Sequence, residues 1–164
     1  MTRQASLQKT GDGVLQTAIQ MEEDGRDFYL AISAASENPR VRELCLRLAN
    51  DESEHRKVFQ KIRSCLAGRG KTVLLRADEL AQARLSARQG ILPDPQTVRE
   101  MAVRGNARAL FDLAIQVEEN AVRFYLSFRD AVEAPDIVDA VIRQEQEHAR
   151  LLRVARSTQG DGGQ

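Results

Sequence analysis

Two pairs of residues have the types and spacing of metal ligands: Glu52 with His55, and Glu145 with His148. Positions three apart share a face of an α-helix, so in each pair a carboxylate and an imidazole can reach the same ion. His55 and His148 are the only histidines in the chain, and 13 of its 164 residues are glutamate. Chance would put glutamate three residues ahead of both histidines in only about 0.6% of sequences of this composition. Two further carboxylates, Glu22 and Glu118, stand where apolar residues belong.

The segments that carry these residues read as helices. Over residues 14–36, Leu15, Ala18, Ile19, Gly25, Tyr29 and Ile32 recur at spacings of three and four, a core-facing stripe with Glu22 inside it. An unpaired charge at such a place costs several kcal/mol, so something inside must compensate it. Asn38-Pro39 ends this helix and starts a second, expected to run to about residue 66. Its apolar row (Val41, Leu44, Cys45, Leu48, Phe59, Ile62, Leu66) passes through Glu52 and His55, whereas Glu54 falls on the wet side. A third helix over 107–132 carries Leu110, Ala114, Ile115, Ala121, Val122, Tyr125 and Phe128 on one stripe with Glu118. A fourth, after Pro135 and with Asp136 in its first turn, reaches about residue 156 on Ile137, Val141, Ile142, Leu151, Leu152 and Ala155, the row that holds Glu145 and His148.

Residues 18–23 (AIQMEE) and 114–119 (AIQVEE) match at an offset of 96, and each run continues to Phe-Tyr, at Phe28-Tyr29 and Phe124-Tyr125. The Glu-x-x-His pairs repeat at an offset of 93. Each half is therefore a helical hairpin presenting one Glu and then Glu-x-x-His on its inner face. The expected fold is all-α, a four-helix bundle of two hairpins. Residues 67–105 form the crossover between them, with short helices near 78–89 and 95–104; nearly 40 residues can travel back along a helix, so helices two and three can lie parallel. One Glu from each of two helices and Glu-x-x-His from each of the others is the ligand set of di-iron and di-manganese carboxylate bundles.

The length suits one domain, expected over residues 14–156. Residues 1–13, with Gly11 and Gly13 and no apolar period, read as a flexible lead-in, and the Gly-rich residues 157–164 as a disordered tail. Lys+Arg and Asp+Glu both number 24, so no basic field exists for nucleic acid, and no nucleic-acid partner is expected. No run of 18 apolar residues and no apolar leader occurs, which predicts a protein without a membrane partner, in the cytoplasm. Cys45 and Cys65 form no Cys-x-x-Cys pair and read as small buried hydrophobes in a reducing compartment.

On six residues that agree in type, order and spacing, about 95 of 164 residues resemble the rubrerythrin branch of the ferritin-like di-iron superfamily. The resemblance implies a ferritin-like bundle in which Glu52 and Glu145 bridge two metals, Glu22 with His55 completes one position and Glu118 with His148 the other. It also suggests that Tyr29 and Tyr125 are hydrogen-bonded to ligand carboxylates; as residues alone, they read equally as core aromatics. Two departures accompany it. There is no rubredoxin-like module with paired Cys-x-x-Cys, which implies a separate electron-donor protein. The extra carboxylate that rubrerythrins place three residues after the third-helix Glu is Ala121 here, leaving the six-ligand set also seen in bacterioferritins.

Four carboxylates and two divalent ions balance to neutrality in a core that would not tolerate the bare charges. The mostly oxygen donor set suits two Fe ions, with Mn or Zn as alternatives. The function that the resemblance implies is Fe(II) oxidation coupled to reduction of O₂ or peroxide, a peroxidase- or ferroxidase-type activity. The alternatives are a non-catalytic protein that binds or delivers iron or another divalent metal, and a bundle whose site serves only assembly. The long connection offers a surface for a homodimer. Glu23 and Glu119, adjacent to the lone glutamates but off the stripe, belong to the solvated face.

Overall fold

A computed structural model describes the backbone of residues 2–89, 92–104 and 107–158, and side chains from residue 13 onward within those limits except at 89. Four long helices make the body: α1 (Thr2–Ala35), α2 (Pro39–Gly68), α5 (Ala107–Leu126) and α6 (Pro135–Thr158). Two short ones, α3 (Ala77–Gln89) and α4 (Pro95–Val103), lie in the crossover. Among the described residues there is no strand.

Local chemistry sets the breaks. Asn38 is in an extended conformation and its side chain accepts from the Arg40 N–H at 3.0 Å, with Pro39 in the first turn of α2, where its missing N–H is no loss. Asp94 does the same for α4, accepting from Gln96 and Thr97 at 3.0 and 3.1 Å ahead of Pro95. α4 packs on α1 and α3 on α5, so the crossover buttresses the two helices that carry the lone glutamates.

Packing shows the directions of the helices. One apolar cluster joins Val14, Leu15 and Ala18 with Phe59, Leu66, Phe124, Phe128, Val138 and Ile142. The other joins Phe28 and Ile32 with Val41, Leu48, Leu110, Ala114 and Leu152. The start of α2 therefore lies with the start of α5, and these helices run parallel, while α1 runs with α6. On every long helix a glutamate falls in the gap between the two clusters: Glu22 after Ile19, Glu52 after Ala49, Glu118 after Ile115, Glu145 after Ile142. The core is two oily plugs with a polar belt between them.

Four expectations need correction. Helix α1 starts at Thr2 and not near residue 14; Gly11 and Gly13 each weaken a helix by about 1 kcal/mol relative to alanine, without breaking it. The third long helix stops at Leu126, not 132. There the chain tightens to i→i+3 bonding (Phe128 N–H to Tyr125 at 3.3 Å, Ala131 N–H to Phe128 at 3.0 Å), and this turn delivers Phe128 and Val132 to the core. Ser157 and Thr158 continue α6, their hydroxyls donating to the Val154 and Ala155 carbonyls at 2.7 and 2.8 Å. Cys65 is exposed, because the buried row of α2 runs through Phe59 and Leu66 and leaves position 65 to one side; Cys45 is buried as expected. Met1 and the expected tail from 159 on lie outside the described residues.

Candidate metal centre

All six sequence-predicted ligands meet in the belt, and none is more than 4% exposed. They form two overlapping groups, Glu22, Glu52, His55 and Glu145, and Glu52, Glu118, Glu145 and His148. Within each group one donor atom per residue lies within 4.8 Å of the others, a spacing that one cation can span. Glu52 and Glu145 belong to both groups.

The imidazoles turn Nδ1 inward. His55 Nδ1 is 3.5 Å from Glu22, 4.0 Å from Glu52 and 2.9 Å from Glu145. His148 Nδ1 is 3.3 Å from Glu52, 3.8 Å from Glu118 and 3.2 Å from Glu145. The rings stack loosely, centroids 5.6 Å apart. The tyrosines cross between halves: Tyr29 donates to Glu118 Oε1 and Tyr125 to Glu22 Oε1. Both hydroxyls are buried donors aimed at a carboxylate oxygen, which leaves the other oxygen of each glutamate for the centre.

Glu22 Oε2, Glu52 Oε1, Glu145 Oε1 and His55 Nδ1 are buried without a hydrogen-bond partner. His55 Nδ1 and Glu145 Oε1 approach closely, but their alignment does not make a hydrogen bond, so the contact is an ion pair only. Orphaned buried oxygens are rare and expensive, and here they converge with an inward imidazole nitrogen. The residues present fit a pair of divalent cations.

Without cations, protons hold the belt together. Burial raises the carboxyls of Glu22 and Glu118 well above 4.5, and the neighbouring Glu52 and Glu145 raise both further. Burial works against protonation of the imidazoles. The nearby carboxylates of Glu145 and Glu22 nonetheless push His55 up to about 12, and those of Glu145 and Glu52 push His148 up to about 10. Burial opposes ionisation of Glu145 as well, but the hydrogen bond with His148 and the charge of His55 outweigh it and hold that carboxyl well below its usual range. Burial, then the nearby carboxylates, raises both tyrosines, which stay protonated donors. Cations entering the site would displace these protons.

A cavity of about 20 Å³, room for roughly one water, reaches Glu52 and Glu118 between α1 and α5, with Leu92 of the crossover at its wall. Gly25 and Ala121, equivalent in the repeat, line it; a Cβ at Gly25 would sit 3.4 Å from Glu52 Oε2. Glu23 and Glu119 stand outside the belt, paired with Arg56 and Arg153. Glu54 is also outside, paired with Lys57 at 2.7 Å. Sequence reasoning missed Asp51 and Gln144, which meet the outer nitrogens of His148 and His55. Their signal was present, since both stand immediately before a shared glutamate in the repeat.

Residues 13–102 match the model of the family described as Rubrerythrin. That match contains Glu22, Glu52 and His55 and ends before Glu118. No curated protein matches the chain. Among solved structures the chain is similar to a Thermotoga maritima protein described as a ferritin-like diiron-carboxylate protein. The TM-score is 0.62 at 23% identity, covering 89% of this chain and 93% of that one. A likeness at that identity speaks for the fold, a helical bundle of the ferritin-like kind.

Proposed function

Since the chain belongs to the rubrerythrin family, we propose that it is a di-iron oxidoreductase coupling Fe(II) oxidation to reduction of O₂ or peroxide. One observation carries this reading: two overlapping ligand groups share Glu52 and Glu145, with orphaned oxygens pointing into the space between them. Two Fe ions bound there would supply one electron each to a small oxidant, chemistry the side chains lack. Glu52 and Glu145 span both positions, Glu22 and His55 complete one, and Glu118 and His148 complete the other. Mn or Zn would fit the same donors.

The chain's own contribution is geometry and exclusion. Tyr29 and Tyr125 hold one oxygen of Glu118 and of Glu22, so each lone carboxylate presents a fixed second oxygen. The two apolar clusters keep bulk water from the belt on both sides. The cavity beside Gly25 and Ala121, with room for roughly one water, is in keeping with a small oxidant as the substrate. Among the described residues no helix is long and apolar enough to cross a membrane, and both cysteines are free. The protein is proposed to work in the cytoplasm, drawing electrons from a separate donor protein.

The test is aerobic titration of the metal-free chain with Fe(II). A near-ultraviolet band that grows to saturation at two irons per chain is expected. Intact Fe(II) binding with no such band overturns the reading. A second reading, iron binding and delivery without turnover, draws on the small cavity and on Ala121. Stoichiometric oxidation that no electron donor converts into turnover would select it.

A further inference from the structure

The outer nitrogens of the two imidazoles meet different chemistry. Nε2 of His148 lies 3.2 Å from Asp51 Oδ2, and Nε2 of His55 lies 2.9 Å from Gln144 Oε1. Asp51 and Gln144 occupy one place in the repeat, directly before Glu52 and Glu145, and each serves the histidine of the opposite half. Both oxygens accept the Nε2 proton, so that once a cation displaces the Nδ1 proton each ring would turn its Nδ1 lone pair to the belt. Charge is what separates them. A carboxylate on Nε2–H strengthens the imidazole as an electron-pair donor and adds a negative charge to the outer rim of that position. An amide does neither. Everything else in the two donor sets is the same in kind: one lone glutamate, one histidine and the two shared glutamates.

We propose that the two metal positions are inequivalent, and that the Glu118–His148 position holds a divalent cation more tightly than the Glu22–His55 position because Asp51, and not an amide, backs its imidazole. Asp51 and Gln144 are positioning residues, acting through the histidines. The proposal rests on the binuclear reading of the site. Outer partners of metal-bound histidines change affinity by roughly 10- to 100-fold. Here the hydrogen bond is kept on both sides, and the Asp51 side chain is 36% exposed, which screens its charge. The difference expected is therefore at the lower end, about tenfold.

Two cations bound side by side repel each other, so a stepwise isotherm of the unaltered chain would not distinguish the positions. Variants with one position each do. The metal-free full chain carrying Glu22→Ala keeps the Glu118–His148 position, and Glu118→Ala keeps the other. Anaerobic calorimetric titration with Mn(II) should give a Kd about tenfold lower for Glu22→Ala than for Glu118→Ala. Adding Asp51→Asn, which retains an oxygen acceptor, should erase that advantage in the Glu22→Ala background and leave the Glu118→Ala value unchanged. Adding Gln144→Glu should tighten the Glu118→Ala variant. Equal Kd values for the two single-position variants overturn the proposal, as does an advantage that survives Asp51→Asn. If the unaltered chain binds neither Mn(II) nor Fe(II), it is the binuclear reading that fails.

Discussion

The two hairpins carry the same inward-facing residues on differently built arms. α1 has 34 residues and meets α2 across three, with an Asn38 cap; α5 has 20 and meets α6 across residues 127–134, which include a 3-10 turn. The spacing from lone glutamate to Glu-x-x-His differs by three residues between halves. All four carboxylates nevertheless lie at the level of the belt, and each tyrosine reaches the lone glutamate of the other half. The level of these carboxylates is thus set by the face of each helix and by the plugs above and below, while the turns beyond are free to vary. The halves diverge beside the belt: Asp51 answers Gln144 and Gly25 answers Ala121.

The largest effect should separate shared from unshared ligands. Glu52→Ala or Glu145→Ala removes a donor from both positions and should abolish tight binding of both ions. Glu22→Ala or Glu118→Ala should leave about one ion per chain, and His148→Ala should likewise lower metal content. Metal analysis after dialysis reads the stoichiometry. Full two-metal content in Glu52→Ala or His148→Ala would break the correspondence between the halves.

Metal removal should reverse the pH dependence of stability. Glu22 and Glu118 have folded values raised above 4.5, so above that pH the folded metal-free chain binds protons that the unfolded chain has released. Stability then falls as pH rises. His55 and His148 act in the same direction. Their contributions are complete below 6.5 and are lost as pH rises through the folded values of about 12 and about 10. Glu145 has the opposite sign, but its contribution is lost only in strong acid, as pH falls through its depressed value. Between about pH 6 and pH 8 the chelated protein should therefore melt lower as pH rises. With Mn(II) at about a hundredfold over Kd, which is worth roughly 2.7 kcal/mol, the cations replace those protons and the stabilisation should grow with pH. Thermal melts with and without chelator check both signs.

Tyr29→Phe and Tyr125→Phe each leave one buried carboxylate oxygen without its donor, on opposite halves. Each should cost roughly 1–3 kcal/mol in the metal-free chain, measured by denaturant unfolding. An effect of only one of them would show that the cross-bonding is not symmetric in energy. The smallest effect has opposite signs in the two halves. Gly25→Ala should stabilise α1 by about 0.5–1 kcal/mol, since its Cβ meets Glu52 at ordinary contact distance, 3.4 Å. Ala121→Gly should destabilise α5 by at least about as much, because Ala121 is also buried.

Much of this protein could be read from residue order. The 3.6-residue period marked the four long helices, Asn38-Pro39 placed the start of the second, and glutamates inside apolar stripes had to find compensation. The ends were less legible. The polar run before residue 14 lacks an apolar face, yet nothing in it forbids hydrogen bonding along the backbone, so α1 continues through it to Thr2. At Leu126 the apolar period continues while the backbone leaves the α-helix, because burying Phe128 requires a tighter turn.

Sequence alone determined that the six candidate ligands face inward and that two of the four helices carry a carboxylate–imidazole pair, since helix periodicity is local and needs no knowledge of the neighbours. Only the tertiary structure decided that Glu52 and Glu145 are the shared pair, that the tyrosines bond across the halves, and that Asp51 stands behind His148. Those relations join residues about 90 to 100 positions apart. They depend on how far each helix slides and turns against the next, and packing sets that only once all four are assembled.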